Sequence, residues 1–329
     1  MGRIIKVLSI DGGGIRGIIP ALVLAEIERR TGRPIRDLFD IIAGSSTGGL
    51  LAMALVTPDE QNMPAYSAEE IAVMYEREGP LIFSRTMWRT FSAVGNINGA
   101  KYPSTGINNV LERYFGDLML SDALGDILVT GYEIQRRQPW FFRSAKARLS
   151  QTCDFRMRDV VRSTTAAPTY FEPAQVFHPE LGESEYFALI DGSMQANNPA
   201  MAAFVEAKDK NPHADEFFVL SLGTGDHTRP LPYNEAKQWG LAGWSQHILQ
   251  VAFDAMSRSI DYQLRHLLPT CHDGIQHYYR LQTPLLHGAS DDLDDASDKN
   301  LAALKKLSDR LIQENDRLLD NIVERLLVM

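Results

Sequence analysis

The chain has 329 residues, of which 44% are hydrophobic and 23% charged, and its formal net charge is −9. This is the composition of a globular protein, and the length allows one large domain or two smaller ones. The negative charge argues against a nucleic-acid partner, because such binding depends on basic patches. No apolar run approaches the roughly 20 residues of a membrane span, and two cysteines are too few for a disulfide framework. We expect a soluble, cytoplasmic chain.

The N-terminal part of the sequence alternates strands, turns and helices. Residues 3–11 (RIIKVLSID) are rich in β-branched side chains and predict a buried strand that three glycines end. Residues 18–30 carry apolar side chains at helical spacing, and Gly32 closes that helix. Residues 39–43 (FDIIA) predict a second strand, and residues 47–56 predict a buried helix. This alternation predicts an α/β fold with a mostly parallel central sheet and helices on both faces.

The remainder of the chain continues the pattern. Further strands are predicted at residues 127–134, 140–144, 186–190 and 217–222. Helices are predicted at residues 244–266 and 297–327, and another begins after the Asn197-Asn198-Pro199 segment. The predicted loops at residues 57–65 and 224–235 are too short to link separate domains. We expect residues 1–225 to form the main body of one domain and residues 226–329 a helical C-terminal extension of it.

The segment Gly44-Ser45-Ser46-Thr47-Gly48 fits the nucleophile-elbow pattern G-x-S-x-G. In this pattern a serine sits on a strained turn between a strand and a helix, which requires small neighbours on both sides. The start of the helix adds backbone N–H groups and positive dipole character beside the reacting carbonyl. A predicted strand before the motif and a predicted helix after it supply the context that the pattern needs. Ser46 is therefore a candidate nucleophile.

A glycine-rich loop, DGGGIRG at residues 11–17, follows the first predicted strand. It matches the dinucleotide fingerprint G-x-G-x-x-G, which expects an acidic residue at the end of the second strand. Asp37 and Asp40 do not fit, because they come before that strand or at its start. Three consecutive glycines instead free successive backbone N–H groups to face one developing negative charge. The loop therefore favours an oxyanion hole over a cofactor site.

The turn Asp191-Gly192-Ser193 follows directly after the predicted strand at residues 186–190. Open parallel sheets place their sites at the carboxyl ends of their strands. Asp191 could therefore orient Ser46, or act as its base, if the two strand ends lie close together. The alternative is an aspartate that only stabilises a turn.

Taken together, these motifs resemble those of the patatin-like phospholipase family. The matching stretches are DGGGIRG (11–17), GSSTGG (44–49), AAPTYF (166–171) and DGS (191–193). The later HYYRLQTPL and the closing helix resemble a common bacterial branch of the family. The resemblance implies a three-layer α/β/α fold and a serine acyl hydrolase with a Ser–Asp dyad. Such a dyad needs neither a cofactor nor a metal.

The resemblance also implies roles for individual residues. Ser46 would be the nucleophile and Asp191 its base, with no histidine between them. The oxyanion loop would comprise Gly12, Gly13, Gly14, Ile15 and Arg16, the last bracing it electrostatically. The remaining motif positions are Gly17, Gly44, Gly48, Gly192 and Ser193. The family usually has Gly or Ala where Ser193 stands, and a hydroxyl there could donate a hydrogen bond to Asp191 and weaken that base.

The implied substrate is a phospholipid or another acyl-ester lipid, cleaved as by a phospholipase A, a lysophospholipase or an esterase. A soluble enzyme can visit a bilayer without spanning it, so we expect peripheral membrane contact. The apolar stripe of residues 297–327 either packs on the domain or forms a homodimer or regulatory surface. A small-molecule activator stays open, because some bacterial members of the family are switched on by cyclic nucleotides in anti-phage defence.

Two other interpretations stay open. The first is a Ser-Asp-His triad of the α/β-hydrolase type, in which the histidine follows the acid in the chain. Its candidates are His213, His227, His247, His266, His272, His277 and His287. The second is a non-catalytic module whose glycine loop binds a phosphate group.

Three weaker features complete the sequence-based expectations. A locally basic stretch is either a solvated face or a contact for anionic headgroups or a phosphate-bearing effector; it comprises Arg143, Lys146, Arg148, Arg156, Arg158 and Arg162. The acidic residues 291–295 lack the glycine turn and closing glutamate of a calcium loop, so we expect a solvated loop before the last helix. Residues 80–101, which include Trp88 and Phe91, are a candidate apolar cover for the site.

Overall fold

The computed structural model describes residues 3–84, 99–180, 182–270 and 275–328. The strands in these ranges are β1 (Ile4–Ile10), β2 (Ile41–Gly44), β3 (Asp126–Glu133), β4 (Gln138–Arg143), β5 (Ala174–His178), β6 (Gly182–Asp191), β7 (Glu216–Leu222) and β8 (Tyr278–Leu281). The helices are α1 (Ile18–Thr31), α2 (Ile35–Leu38), α3 (Thr47–Leu55), α4 (Ala68–Ile82), α5 (Ser104–Phe115), α6 (Ser144–Ala147), α7 (Met157–Thr164), α8 (Ser193–Ala196), α9 (Ala200–Lys210), α10 (Tyr233–Ala236), α11 (Leu241–Leu267), α12 (Asp298–Glu314) and α13 (Asp316–Leu327).

These strands form one mixed sheet with a parallel centre. β1 lies between β2 and β7, β3 lies next to β2, and β8 lies next to β7, all in parallel. The antiparallel strands are β4 and β6, which both pair with β3, and β5, which pairs with β6. The predicted mostly parallel sheet is confirmed, whereas β5 and β8 are short strands that the sequence did not indicate.

Helices cover both faces of the sheet and create two apolar cores. On one face Leu8 and Ile10 of β1 belong to a large core with side chains of α1, α3, α4, α12 and α13. On the other face Val7 packs in a smaller core with Ala203 and Phe204 of α9. Side chains of β1 reach both cores because successive residues of a strand point to opposite faces of the sheet. The expected arrangement of helices on both sides of the sheet is confirmed.

The C-terminal part of the chain is not only helical, because it contributes β8 to the sheet. The single helix predicted at residues 297–327 is two helices, α12 and α13, which meet at Asn315. The side-chain amide of Asn315 donates to the carbonyl of Leu311 at 2.9 Å, so it caps the end of α12. Buried leucines of both helices join the core that covers α1.

The arrangement around β3 positions the candidate site. β4 pairs with residues 128–133 along one edge of β3, so β2 and β6 share the other edge. β2 runs beside residues 126–129 and ends at Gly44, while β6 runs in the opposite direction beside residues 131–133 and ends at Asp191. The ends of these two strands therefore face each other. Asp191 reaches this place on an antiparallel strand, not at the rim of a parallel one as the sequence suggested.

Three of the candidate residues, Trp88, Phe91 and His272, lie outside the described ranges, and so does Cys271. Cys153 is partly exposed. Among the described helices, none is long and apolar enough to cross a membrane. Within the same ranges, no group of three His, Cys, Asp or Glu side chains is placed to hold a metal ion.

Candidate active site

Ser46 lies on the turn between β2 and α3 and has a φ of 52° and a ψ of −123°. A positive φ is uncommon for a residue with a side chain, and such strain is typical of functional turns. Gly44 and Gly48, on either side of Ser46, permit the turn because the backbone packs too closely there for a side chain. A Cβ atom on Gly44 would lie 2.1 Å from the carbonyl oxygen of Gly48, and one on Gly48 would lie 2.2 Å from that of Ile10. The strained strand-to-helix turn predicted from G-x-S-x-G is present.

The hydroxyl of Ser46 donates a hydrogen bond directly to Oδ2 of Asp191 at 2.6 Å. Asp191 is only 2% exposed, and burial raises the pKa of its carboxyl group to about 6. Hydrogen bonds from Ser46 and from the backbone and side chain of Ser193 lower this pKa in part, the backbone N–H of Ser193 lying 2.7 Å from Oδ1. A desolvated carboxylate that contacts a serine hydroxyl is able to accept its proton.

The end of α7 holds the serine turn and the aspartate turn together. The hydroxyl of Thr164 accepts a hydrogen bond from the N–H of Ser46 at 2.8 Å, and its carbonyl accepts one from Gly192 at 3.1 Å. The carbonyl of Ala166 accepts a hydrogen bond from the N–H of Asp191 at 3.0 Å. Sequence reasoning gave Thr164 no role, because a threonine at the end of a helix carries no distinguishing pattern.

Three of the five backbone N–H groups expected in the oxyanion loop already have protein acceptors. They donate to carbonyl oxygens as follows: Gly12 to Asn197 at 3.0 Å, Ile15 to Leu293 at 2.8 Å and Arg16 to Gly13 at 3.2 Å. Where the structure describes the chain, the N–H groups of Gly13 and Gly14 have no acceptor, and both residues line the cavity beside Ser46. Gly14 has a φ of +59°, and a Cβ atom there would lie 2.1 Å from the carbonyl oxygen of Leu293.

Arg16 supports the glycine loop from within the protein. Its side chain is buried, its Nε donates to the carbonyl of Gly13 at 3.2 Å, and burial lowers its pKa to about 10. Its terminal N–H group lies 3.3 Å from Nε2 of His227, which must accept because arginine can only donate. The proton of that imidazole is therefore on Nδ1, from which it is donated to Asp254 at 3.0 Å. Asp254, His227 and Arg16 thus form a chain of contacts that ends on the oxyanion loop.

Asp11, the first residue of the loop, is fixed by a buried ion pair. Both terminal nitrogens of the Arg280 guanidinium donate to its carboxylate, at 2.9 and 2.5 Å, and Ser257 donates to the same group at 3.0 Å. Asp11 is 1% exposed, and the Arg280 side chain is 6% exposed. Arg280 lies in the HYYRLQTPL stretch, but no sequence pattern indicated that it would contact this loop.

A cavity of about 1190 Å³, counting its open mouth, extends from Ser46 and the glycine loop. Its apolar lining includes Leu50, Met74, Ile82, Phe83, Ile107, Val110, Phe171 and Phe253. Ser46 and Asp191 line the same cavity, together with other polar residues such as Arg16, His227 and Asp254. Ligand sites commonly combine apolar walls with a small number of convergent polar groups. The walls are chemically suited to an acyl chain.

The described histidines do not form a Ser-Asp-His triad with Ser46 and Asp191. In the described ranges, no histidine donates to or accepts from Ser46 or Asp191. His227 is the one described histidine that lines the cavity, and both of its ring nitrogens are engaged by Arg16 and Asp254.

Two charged segments differ from simple solvated surfaces. Four members of the basic stretch pair with carboxylates: Arg143 with Glu206, Arg148 with Asp126, Arg156 with Asp117, and Arg158 with Glu112 and Asp117.

In the acidic loop at residues 291–295, the side chain of Asp294 is only 8% exposed, and it accepts hydrogen bonds from Lys101 and from Tyr102. The expectation that this loop is solvated is therefore wrong for Asp294.

The chain is similar in sequence to known proteins. Residues 8–204 match the sequence model described as "Patatin-like phospholipase". Patatin-like protein 2 of Arabidopsis thaliana is 34% identical, over 95% of this chain and 84% of that protein, and Patatin-2-Kuras 3 of Solanum tuberosum is 32% identical, over 95% and 85%. The structure of human GIVD cytosolic phospholipase A2 is 11% identical with a TM-score of 0.47, covering 98% of this chain and 60% of that one. The chain belongs to the patatin-like phospholipase family, a family of lipid acyl hydrolases.

Proposed function

We propose that the chain is a serine carboxylic-ester hydrolase of the phospholipase A, lysophospholipase or esterase type. It cleaves fatty-acyl esters through a dyad of Ser46 and Asp191 and an acyl-enzyme intermediate. The observation that carries the proposal is the 2.6 Å hydrogen bond from the Ser46 hydroxyl to the buried Asp191 carboxylate, at the head of an apolar cavity.

In the first half of the reaction, Oγ of Ser46 attacks the ester carbonyl carbon and its proton passes to Oδ2 of Asp191. The carbonyl oxygen becomes an oxyanion, which the free N–H groups of Gly13 and Gly14 and the amino end of α3 stabilise. A carboxylate is a weak base for an alcohol, so this stabilisation must supply much of the rate. The ester C–O bond then breaks, and Asp191 returns the proton to the leaving alkoxide.

In the second half, water replaces the alcohol product. Asp191 takes a proton from the water as it attacks the acyl carbonyl, and the same N–H groups hold the second oxyanion. The bond to Ser46 breaks, its oxygen regains a proton from Asp191, and a fatty acid leaves the cavity. No atom of this cycle requires a third catalytic side chain.

The experiment that tests the proposal compares the wild type with Ser46→Ala and Asp191→Asn. A panel of phospholipids, lysophospholipids and neutral acyl esters is incubated with each protein, and the products are identified by mass spectrometry. We expect both substitutions to lower turnover about a thousandfold or more, as removal of a nucleophile or its base does. Wild type should also bind a fluorophosphonate label that Ser46→Ala does not.

The outcome of labelling separates the enzyme from the alternatives. A wild type that takes up no label and releases no fatty acid from any lipid would favour a module that binds phosphate without catalysis. Ser45→Ala is the matched control, since its buried hydroxyl is adjacent to Ser46 in sequence but hydrogen-bonds to Ser193 at 3.4 Å instead of to Asp191. Turnover of that control is expected to stay within about threefold of wild type.

A further inference from the structure

The first half of α11 is an apolar helix without a formal charge. No Asp, Glu, Lys or Arg occurs between Lys237 and Asp254. No described side chain from Leu241 to Met256 is buried, so this part of the helix stands at the surface. We propose that its outer face docks on a lipid surface and brings the cavity to its substrate, an inference that rests on the proposed hydrolase function.

Four exposed apolar side chains define the outer stripe of α11: Leu241, Trp244, Ile248 and Val251. Their exposed fractions are 91%, 40%, 49% and 37%. The spacing of three, four and three residues places them along one side of a helix. Exposed apolar side chains that adjoin one another on a surface, unlike scattered ones, often mark an interaction site.

The inner side of the same helix faces the candidate site. Gln250, Phe253, Asp254 and Ser257 line the cavity, and helical geometry puts them on the far side of the helix from the outer stripe. Asp254 accepts from His227, and Ser257 donates to Asp11, the residue before the oxyanion loop. The helix therefore lies between the cavity and the surroundings and is anchored by its inner side.

The chemistry of the outer stripe fits a lipid interface. Helices that lie in an interface bury apolar and aromatic side chains at the boundary of headgroups and acyl chains, where tryptophan is favoured. The absence of charge along this helix half removes the desolvation cost that a carboxylate or an ammonium group would add. The competing basic stretch is a weaker candidate, because four of its cations already contact carboxylates.

The test measures binding of the full-length chain to vesicles of phosphatidylcholine, with and without about 30% phosphatidylglycerol. All proteins carry Ser46→Ala, so that no lipid is consumed during co-sedimentation. Leu241→Gln combined with Ile248→Gln should weaken partition about tenfold on both vesicles. Binding of the protein that carries Ser46→Ala alone should stay largely unchanged in about 0.5 M salt. The matched control combines Leu149→Gln with Val205→Gln, since these side chains are 87% and 57% exposed elsewhere.

Each outcome decides the proposal. Unchanged partition of the Leu241 and Ile248 variant overturns it, and so does loss of binding in the Leu149 control, which lies within the basic stretch. The wild type could also be dimeric without lipid while the Leu241 and Ile248 variant is monomeric. That result would show that the stripe binds a second copy of the chain, and it would overturn docking on lipid. If that variant does not fold, quenching of tryptophan fluorescence by brominated phosphatidylcholine is measured instead. Docking predicts less quenching in Trp244→Phe than in wild type, and equal quenching in the two proteins contradicts it.

A second readout separates this proposal from the proposed function. In proteins that retain Ser46, hydrolysis of a dissolved short-chain ester should stay within about twofold in the Leu241 and Ile248 variant, because the stripe does not touch the dyad. Loss of vesicle binding with normal ester turnover supports docking and catalysis together. Vesicle binding by a chain that hydrolyses no ester would support the surface and contradict the hydrolase.

Discussion

At the scale of single residues, the site depends on how Asp191 is kept both buried and ready to act. Its carboxylate has no arginine or lysine partner in the described ranges, and three hydrogen bonds from Ser46 and Ser193 hold it instead. Burial therefore dominates and raises the pKa of Asp191 to about 6. A stronger base is thereby obtained than an exposed aspartate offers, while the group stays ionised at neutral pH.

This pKa predicts the pH dependence of the reaction. The proposed dyad requires an ionised Asp191, so kcat/KM should fall about tenfold for each pH unit below about 6 and level off above about 7. The measurement is kcat/KM for a dissolved short-chain ester between about pH 4.5 and pH 8.5. A profile that stays flat down to about pH 5 would contradict the role of Asp191 as base.

A second prediction concerns His227, which we regard as a positioning residue for the oxyanion loop. His227→Phe removes the acceptor of Arg16, so kcat should fall about tenfold with KM within about twofold. Asp254→Asn keeps an acceptor for the imidazole N–H and should cost less than about threefold. The steady-state parameters of both variants are the readout. A loss in His227→Phe as large as in Ser46→Ala would instead support a Ser-Asp-His triad.

At the scale of elements, the two catalytic candidates meet because two strands share one edge of β3. β2 and β6 pair with different parts of that edge from opposite directions, and Thr130 lies between their partners. A Cβ atom on Gly192 would lie 2.1 Å from the hydroxyl of Thr130, so the turn after β6 passes directly over this point. The antiparallel direction of β6 thus places Asp191 opposite the serine turn.

The sequence predicted the parts of the site that depend on local geometry. The serine turn was predictable because glycines at 44 and 48 permit close backbone contacts, and β1 because its β-branched run ends in glycines. The direction of β6 was not predictable, since pairing depends on β3 and β4 far away in the chain. The carbonyl groups that accept from the Gly12 and Ile15 N–H groups also come from distant parts of the chain. The sequence therefore predicted more free N–H donors in the oxyanion loop than the structure contains.

The buried pair between β8 and the glycine loop gives a prediction at this scale. Arg280→Met leaves the Asp11 carboxylate buried without its partner, which should lower the free energy of unfolding by about 3–5 kcal/mol. Adding Asp11→Asn should recover much of that loss, because no unpaired charge remains. Urea unfolding measures both changes. Arg36→Met is the control, since its ion pair with Asp37 is exposed and should contribute less than about 1 kcal/mol. A loss in Arg280→Met as small as in this control would contradict the role assigned to the pair.

At the scale of the whole molecule, the site is completed by segments beyond residues 8–204, the part that matches the family model. Ser257 and Arg280 hold Asp11, and the carbonyl of Leu293 packs against Gly14 while it accepts from Ile15. Asp294, which follows Leu293 in the acidic loop, accepts hydrogen bonds from Lys101 and Tyr102. The C-terminal third of the chain therefore acts on the shape of the oxyanion loop as well as on the core.

We propose on this basis that residues 1–225 and 226–329 form one folding unit. A chain that ends at residue 225 loses β8 and uncovers the apolar side of α1, against which α12 and α13 pack. It should therefore lack a cooperative urea transition, and any soluble fraction should hydrolyse a short-chain ester at least about a hundredfold more slowly than the full chain. The control is removal of only the last residues after Leu327, which leaves α13 intact and should preserve both properties. If the shortened chain unfolded cooperatively and kept near-normal turnover, the N-terminal part would be a domain of its own, and the contacts of Arg280 and Leu293 would not be needed for catalysis.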